Sequence, residues 1–230
     1  MLAAACAATV GLATISTPAG AAAAVPEEVD AHLRAWWTTY DVPADVQGHL
    51  LAALSAGETW DSLAGAAPTS REVLQGKRST TTVLTFADGS ITVTEVQKPD
   101  RTPAASIRTV AVDGCRTTVG GSGYRNYYDC QAHADTGVIA MGFYISYTLA
   151  QGGPDQIIEV HSPYLATTGG TASPNPPTLA IRKKLQNSSG SAWANATTQF
   201  TGYGSGGSKS VDFRALVGND TAWTRWEAKP

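Results

Sequence analysis

The chain has 230 residues, a formal net charge of −3 and 43% hydrophobic residues, with 23 glycines. Its mild acidity argues against general nucleic-acid binding, which needs a basic surface to displace counterions from phosphates. The length allows one sizeable core, or a small unit beside a larger one.

Residues 1–24, "MLAAACAATVGLATISTPAGAAAA", carry no charge. The apolar part ends near Ile15, short of the roughly 20 residues that span a bilayer as a helix. Pro18, Gly20 and an alanine run with several A-x-A sites follow. This reads as the apolar and cleavage regions of a secretory signal peptide, cut after Ala21 or Ala24. A basic leading region is missing, which a start site placed too far downstream explains. Cys6 after "LAAA" offers a lipoprotein reading, but the apolar run continues past it. No other segment is long and apolar enough to span a membrane.

Residues 25–68 read as a helical region. Pro26 suits a first turn, and Glu27 and Glu28 complement the positive end of a helix. Val29, Leu33, Trp36, Trp37 and Tyr40 fall on one face. A second helix starts at Pro43, uses Val46, Leu50 and Leu54, and stops at Gly57. "ETWDSLAG" adds a short apolar turn with Trp60 and Leu63. Residues 69–82, "TSREVLQGKRSTTT" onward, are polar and read as a linker or poorly ordered arm.

From residue 83 to 230 the period changes to two, and an antiparallel β domain is expected. "TVLTF-ADGS-ITVTEV" is a hairpin signal with its turn at Asp88–Gly89. A run near 106–112 precedes the first of the two later cysteines. In 138–149, "VIAMGFYISYTL", the odd positions Ile139, Met141, Phe143, Ile145, Tyr147 and Leu149 form an apolar face, and the lighter residues Gly142, Ser146 and Thr148 alternate with them. Further runs lie near 156–166, 178–186, 192–203, 208–217 and 221–228. The turn stretches "QGGPD", "TTGGTASPNPP", "NSSGS", "GYGSGG" and "GND" separate them. Short strands at this spacing predict a mainly β fold, an antiparallel sandwich or barrel with a short helical N-terminal region.

Without residues 1–24 two cysteines remain, Cys115 and Cys130. In an exported protein such a pair is expected to form a disulfide. Closing a loop of about 16 residues stabilises a fold by roughly 3 kcal/mol in the chain-entropy model. Two cysteines without clustered histidines do not make a zinc site, so no metal or other cofactor is expected.

"GGSGYRNYYDC" supplies a turn and a strand with two faces. Strict alternation puts Tyr124, Asn126, Tyr128, Cys130, Ala132 and Ala134 on one, with the bridge and Tyr128 on the core side. Arg125, Tyr127, Asp129 and His133 then form a polar, aromatic stripe, with Gln131 and Asp135 between and beyond them. That stripe is the candidate ligand-binding site, because aromatic faces beside hydrogen-bonding groups suit sugar rings. The plainer reading is a solvated strand face.

Catalytic signals are weak. Of the four histidines, His32 and His49 sit on helices as surface residues, His133 shares a strand face with Asp129 and Asp135, and His161 shares one with Glu159. Asp113, Asp129, Asp135, Asp155 and Glu159 are the candidates for a glycosidase-like carboxylate pair. No nucleophile elbow, zinc-protease helix or phosphate loop is present, and no catalytic residue is assigned.

Charge is uneven along the chain. Residues 25–68 hold seven acidic residues and one basic, whereas 177–230 hold seven basic and three acidic; the two could pack together, with the helices covering a sheet face. "IRKK" at 181–184 reads as a solvated edge that discourages strand pairing. Asn187, Asn195 and Asn219 lie in N-x-S/T sequons, which carry little weight in a bacterial protein.

"LLAALSAGETWDSLAGAAP", "TTTVLTFADGSITV" and "GCRTTVGGSGYRNYYDC" together resemble a group of uncharacterised secreted proteins of actinobacteria. The resemblance covers most of the chain after the signal. It implies secretion and a single unit of helices and β body, and it carries no known activity. The expected function is non-catalytic extracellular binding of glycan or cell-envelope material. The alternatives are a secreted polymer hydrolase using a carboxylate pair or a His–carboxylate pair, and a secreted antagonist or toxin-like protein that binds another protein.

Overall fold

The computed structural model describes residues 24–99, 115–120, 122–202 and 207–229. The expected signal peptide, apart from Ala24, and the run at 106–112 lie outside them. Three helices come first, α1 (Glu27–Thr39), α2 (Ala44–Ser55) and α3 (Asp61–Ala64). The strands β1 (Ser70–Gln75), β2 (Ser79–Thr85), β3 (Ile91–Gln97), β4 (Arg116–Gly120), β5 (Tyr124–Asp135) and β6 (Ile139–Ala150) follow. They are succeeded by β7 (Gln156–Thr167), β8 (Gly170–Lys183), β9 (Ala192–Gly202), β10 (Ser208–Gly218) and β11 (Thr221–Lys229).

The strands make two antiparallel sheets. One has the order β1-β2-β3-β5-β6-β7, with β4 also paired to β5, and the other has the order β11-β10-β9-β8. Period-two alternation makes each sheet two-faced. On β6, Ile139, Met141, Phe143 and Ile145 are at most 1% exposed. The inner face of the other sheet presents Ala194, Ala196, Val211, Phe213 and Val217, also fully buried or nearly so. Phe143 packs on Phe213 with ring centroids 5.7 Å apart. The small side chains of β9 leave room for these rings, and the result is a sandwich.

The helices close one end of it. Pro26 precedes α1 and three acidic residues occupy its first turn, which suits the positive end of the helix dipole. Leu33 and Trp37, four apart, form its fully buried stripe. Gly57, at φ 74°, ends α2 where the sequence places the stop. The turns of the β body meet these helices: Gly89 lies against Val46, Gly137 against Trp36 and Leu33, and Gly169 against Val29 and Leu54. The Trp226 indole donates to the Ser62 carbonyl at 3.1 Å, and the Asp61 amide donates to Asp88 at 2.8 Å. One hydrophobic cluster therefore runs through the helices and both sheets. The helical front packs on the β body at the end of the sandwich that bears these turns, with Trp36 and Tyr40 of the front beside Asp135 of β5.

Two stretches differ from expectation. Residues 69–82, read as a linker, form β1 and the start of β2. Every residue of β1 is exposed, including Val73 and Leu74. Having nothing to bury, this edge hairpin has the composition of a loop. The stretch "TTGGTASPNPP" is a turn only at its start, because β8 begins at Gly170. Its pairing with β9 is interrupted between Ser173 and Thr178, so Pro174, Pro176 and Pro177 sit where the ladder asks for no N–H.

Candidate functional site

The cysteine hairpin is built as a staple. β4 pairs with β5, and Cys115 is bonded to Cys130, both nearly inaccessible. The bridge is on the core side, as expected.

A bulge then changes the faces of β5. Its pairing with β6 jumps from Tyr127↔Tyr147 to Cys130↔Ile145, and Asp129 takes the left-handed conformation at φ 53°. One extra residue in a strand inverts its alternation. Tyr127, expected in the polar stripe, is therefore buried and stacked on Tyr147, with centroids 4.7 Å apart and planes 8° apart. Tyr128, expected in the core, is half-buried, and Arg125, exposed, shares the Tyr127 side. Asp129 and His133 do lie on the outer face. The bulge thus keeps two of the four stripe residues together and removes the other two.

The outer face of β3, β5, β6 and β7 carries two rows of side chains. Register aligns Glu95, His133, Gly142 and Tyr164 across four strands. The second row runs Gln131, Tyr144 and His161. Gln97 joins it by accepting the Gln131 amide at 3.0 Å. Gly142 leaves a gap, and the Tyr164 ring lies across it, parallel to the His133 ring within 12°. Tyr144 and His161 stack likewise, with centroids 5.6 Å apart and planes within 7°.

Hydrogen bonds join the first row. Gln131 Nε2 donates to the Tyr164 oxygen at 2.9 Å, and that oxygen lies 2.7 Å from His133 Nδ1. Burial pushes the Tyr164 hydroxyl up to about 12 and pulls the His133 imidazole below its ordinary value. A neutral phenol and a neutral imidazole share one proton across this contact, the phenol donating to Nδ1 in one tautomer of His133 and accepting from it in the other. Burial also raises Asp135, against the hydrogen bonds of the Gly137 amide and Trp36.

A second group stands at the bulge. His161 Nε2 lies 3.0 Å from Asp129 Oδ1, and Arg116 pairs with the other oxygen of that carboxylate. Arg116 first, then His161, hold Asp129 below the usual carboxylate range. His161 Nδ1 is 3.0 Å from the hydroxyl of Ser162, itself left-handed at φ 50°. The chain Ser162–His161–Asp129 has the residue types of a hydrolase triad. However, Pro163 follows the serine and offers no N–H for an oxyanion, and Arg116 already neutralises the carboxylate. The arrangement holds the imidazole flat beside Tyr144.

Glu159, expected to share a strand face with His161, is exposed on β7. The His161–Asp129 contact depends on bulges in β5 and β7 that no residue pattern announces, and Tyr144 and Tyr164 escaped notice as ordinary strand aromatics. Asp155 is 1% exposed and holds turns together, accepting the Ala150 and Asp220 amides at 2.7 and 2.8 Å. Asp113 lies outside the described residues, and His32 and His49 are exposed on their helices as expected. Among the described residues, no group of three or more His, Cys, Asp or Glu is placed to hold a metal, and no helix is long and apolar enough to cross a membrane. Comparison with protein-family models, with curated proteins and with solved structures found no match.

Proposed function

We propose that this is a secreted, non-catalytic binding module for glycan or cell-envelope polymer, and that the outer face of β3, β5, β6 and β7 is its platform. The observation that carries the reading is the pair of parallel Tyr–His stacks, Tyr164 with His133 and Tyr144 with His161, on a polar, half-buried sheet face. A pyranose ring has an apolar C–H face and a rim of hydroxyls. Flat aromatic rings match the first, and Gln97, Gln131, Glu95 and the His133 ring nitrogen Nε2 match the second. The disulfide supports an oxidising compartment, and the signal-like residues 1–24 and the resemblance to actinobacterial secreted proteins support export.

The Ser162–His161–Asp129 chain favours one second reading, hydrolysis of the same polymer. A binding screen over glycans and envelope polymers, assayed in parallel for released product, separates the two. The proposal expects retention on a polymer without turnover, and at least about tenfold weaker retention for Tyr164→Ala, the loss of a central aromatic contact. Product release abolished by Asp129→Asn would install the hydrolase instead. Failure to bind any polymer would sink both.

A further inference from the structure

The opposite face of the sandwich carries a separate arrangement. Register places Trp193, Leu216 and Trp223 in one line across β9, β10 and β11. All three are half-buried and lie on the outer side, since their neighbours Ala192, Ala194, Ala215 and Val217 face the core. Two strand spacings set the backbones of the two tryptophans about 9.6 Å apart, on the order of the length of one disaccharide in an extended chain. The adjoining rows hold charge. Arg214 lies over the Trp193 ring at 4.7 Å and is fixed by Asp212 at 2.7 Å and Glu227 at 2.9 Å. Glu227 also holds Arg225 at 2.9 Å and has Lys229 at 4.0 Å. Arg182 reaches in from β8 to the Asn195 amide oxygen at 2.8 Å.

We infer that this face is a second binding site, for an extended anionic polysaccharide. Four cations, Arg182, Arg214, Arg225 and Lys229, face two carboxylates, Asp212 and Glu227, so the face keeps positive charge although the chain is acidic overall. The carboxylates orient Arg214 and Arg225 and leave guanidinium N–H groups for a ligand carboxylate or phosphate. The Trp223 indole supplies a sugar-stacking surface, and the Trp193 indole backs the Arg214 guanidinium that lies over it. "IRKK" thereby gains a role beyond guarding an edge: Arg182 joins the face, while Lys183 ties down the turn at Asn187, Ser189 and Gly190. The Phe143–Phe213 core separates this face from the first platform, so one molecule can hold two polymer strands. The inference rests on the reading of the protein as a glycan binder and adds a ligand charge and a second site.

The test uses the exported protein, with polygalacturonate as the anionic probe and a panel of uncharged glycans beside it. The wild type should bind polygalacturonate with an affinity that falls as salt rises. The double variant Trp193→Ala, Trp223→Ala should bind it at least tenfold more weakly, whereas Tyr164→Ala should bind it within about twofold of wild type. Arg225→Gln alters an exposed side chain, so it keeps the question open to measurement should the tryptophan variant melt early. It should lower affinity and flatten the salt dependence. Wild-type affinity for polygalacturonate in both the tryptophan variant and Arg225→Gln would overturn the second site. The first platform is judged apart from it, by whether Tyr164→Ala loses the uncharged polymers.

Discussion

Tyr164 lies so close over Gly142 that a methyl group on that glycine would sit 2.5 Å from the Tyr164 hydroxyl oxygen and 2.5 Å from the Ala132 carbonyl oxygen. The glycine is there for close approach, which lets a phenol lie flat on a sheet instead of standing on it. Gly142→Ala should therefore lift the ring from its bonds to His133 and Gln131. Overpacking of this kind costs about 1–3 kcal/mol. The same variant should lose polymer binding while remaining folded at room temperature. A denaturant melt and a binding isotherm check both, and unchanged values would mean that the ring does not need the gap.

The bulge at Asp129 makes a prediction opposite to strict alternation. Tyr127→Ala removes a buried ring stacked on Tyr147 and should cost about 3–5 kcal/mol, as for other buried aromatics. Tyr128→Ala, half-buried, should cost about 1 kcal/mol or less. Equal losses, or the reverse order, in denaturant melts would restore the unbulged strand.

How much was legible in the sequence depended on whether burial followed a regular period. The helices at 27–39 and 44–55 have apolar stripes bounded by Pro26, Pro43 and Gly57, and the Asp88–Gly89 turn has the residues its geometry demands. The apolar side of β6 is complete from Ile139 to Tyr147 because the inner face of a sandwich repeats every second residue. Strand β1 was invisible for the converse reason, since it buries nothing and so leaves no pattern. The candidate site was legible in half. Asp129 and His133 were placed on the outer side, but left-handed Asp129 and Ser162 shift the frame locally with residues that carry no glycine signal. Tyr164 is unremarkable until its partner across β6 proves to be a glycine.

The disulfide should be present and protective. Protein exported to an oxidising space should show no reactive thiol after residues 1–24 are removed, and a mass lower by two hydrogens than the dithiol. Cys115→Ser, Cys130→Ser should lower stability by roughly 3 kcal/mol, the loop-closure estimate for a separation of 15 residues. Two reactive thiols in the native oxidised protein would contradict the bridge.

Two carboxylates on β5 should make opposite contributions to acid stability. Arg116 and His161 hold Asp129 low. Its stabilisation is therefore present above the unfolded carboxylate value, about 3.9, and is lost as pH falls through the folded value. Burial holds Asp135 high. Its folded form keeps the proton after the unfolded form has lost it, so its stabilisation is present below about 3.9 and is lost as pH rises through the folded value. Asp129→Asn should flatten the loss of stability on acidification. Asp135→Asn should be relatively more stable at pH 7 than at pH 4. Melting curves across that range check the signs, and parallel curves for both variants would mean that neither group is shifted.

Under the proposed function, two parallel Tyr–His stacks on one sheet face hold a polymer of sugar rings. The most direct measurement is the affinity of the exported protein for the best-retained glycan or envelope polymer, compared with the double variant Tyr144→Ala, Tyr164→Ala. The melting midpoint of each is recorded alongside. The wild type should bind without releasing product, and the variant should remain folded and bind at least about a hundredfold more weakly, the combined loss of two central aromatic contacts. Wild-type affinity in a folded double variant would contradict it.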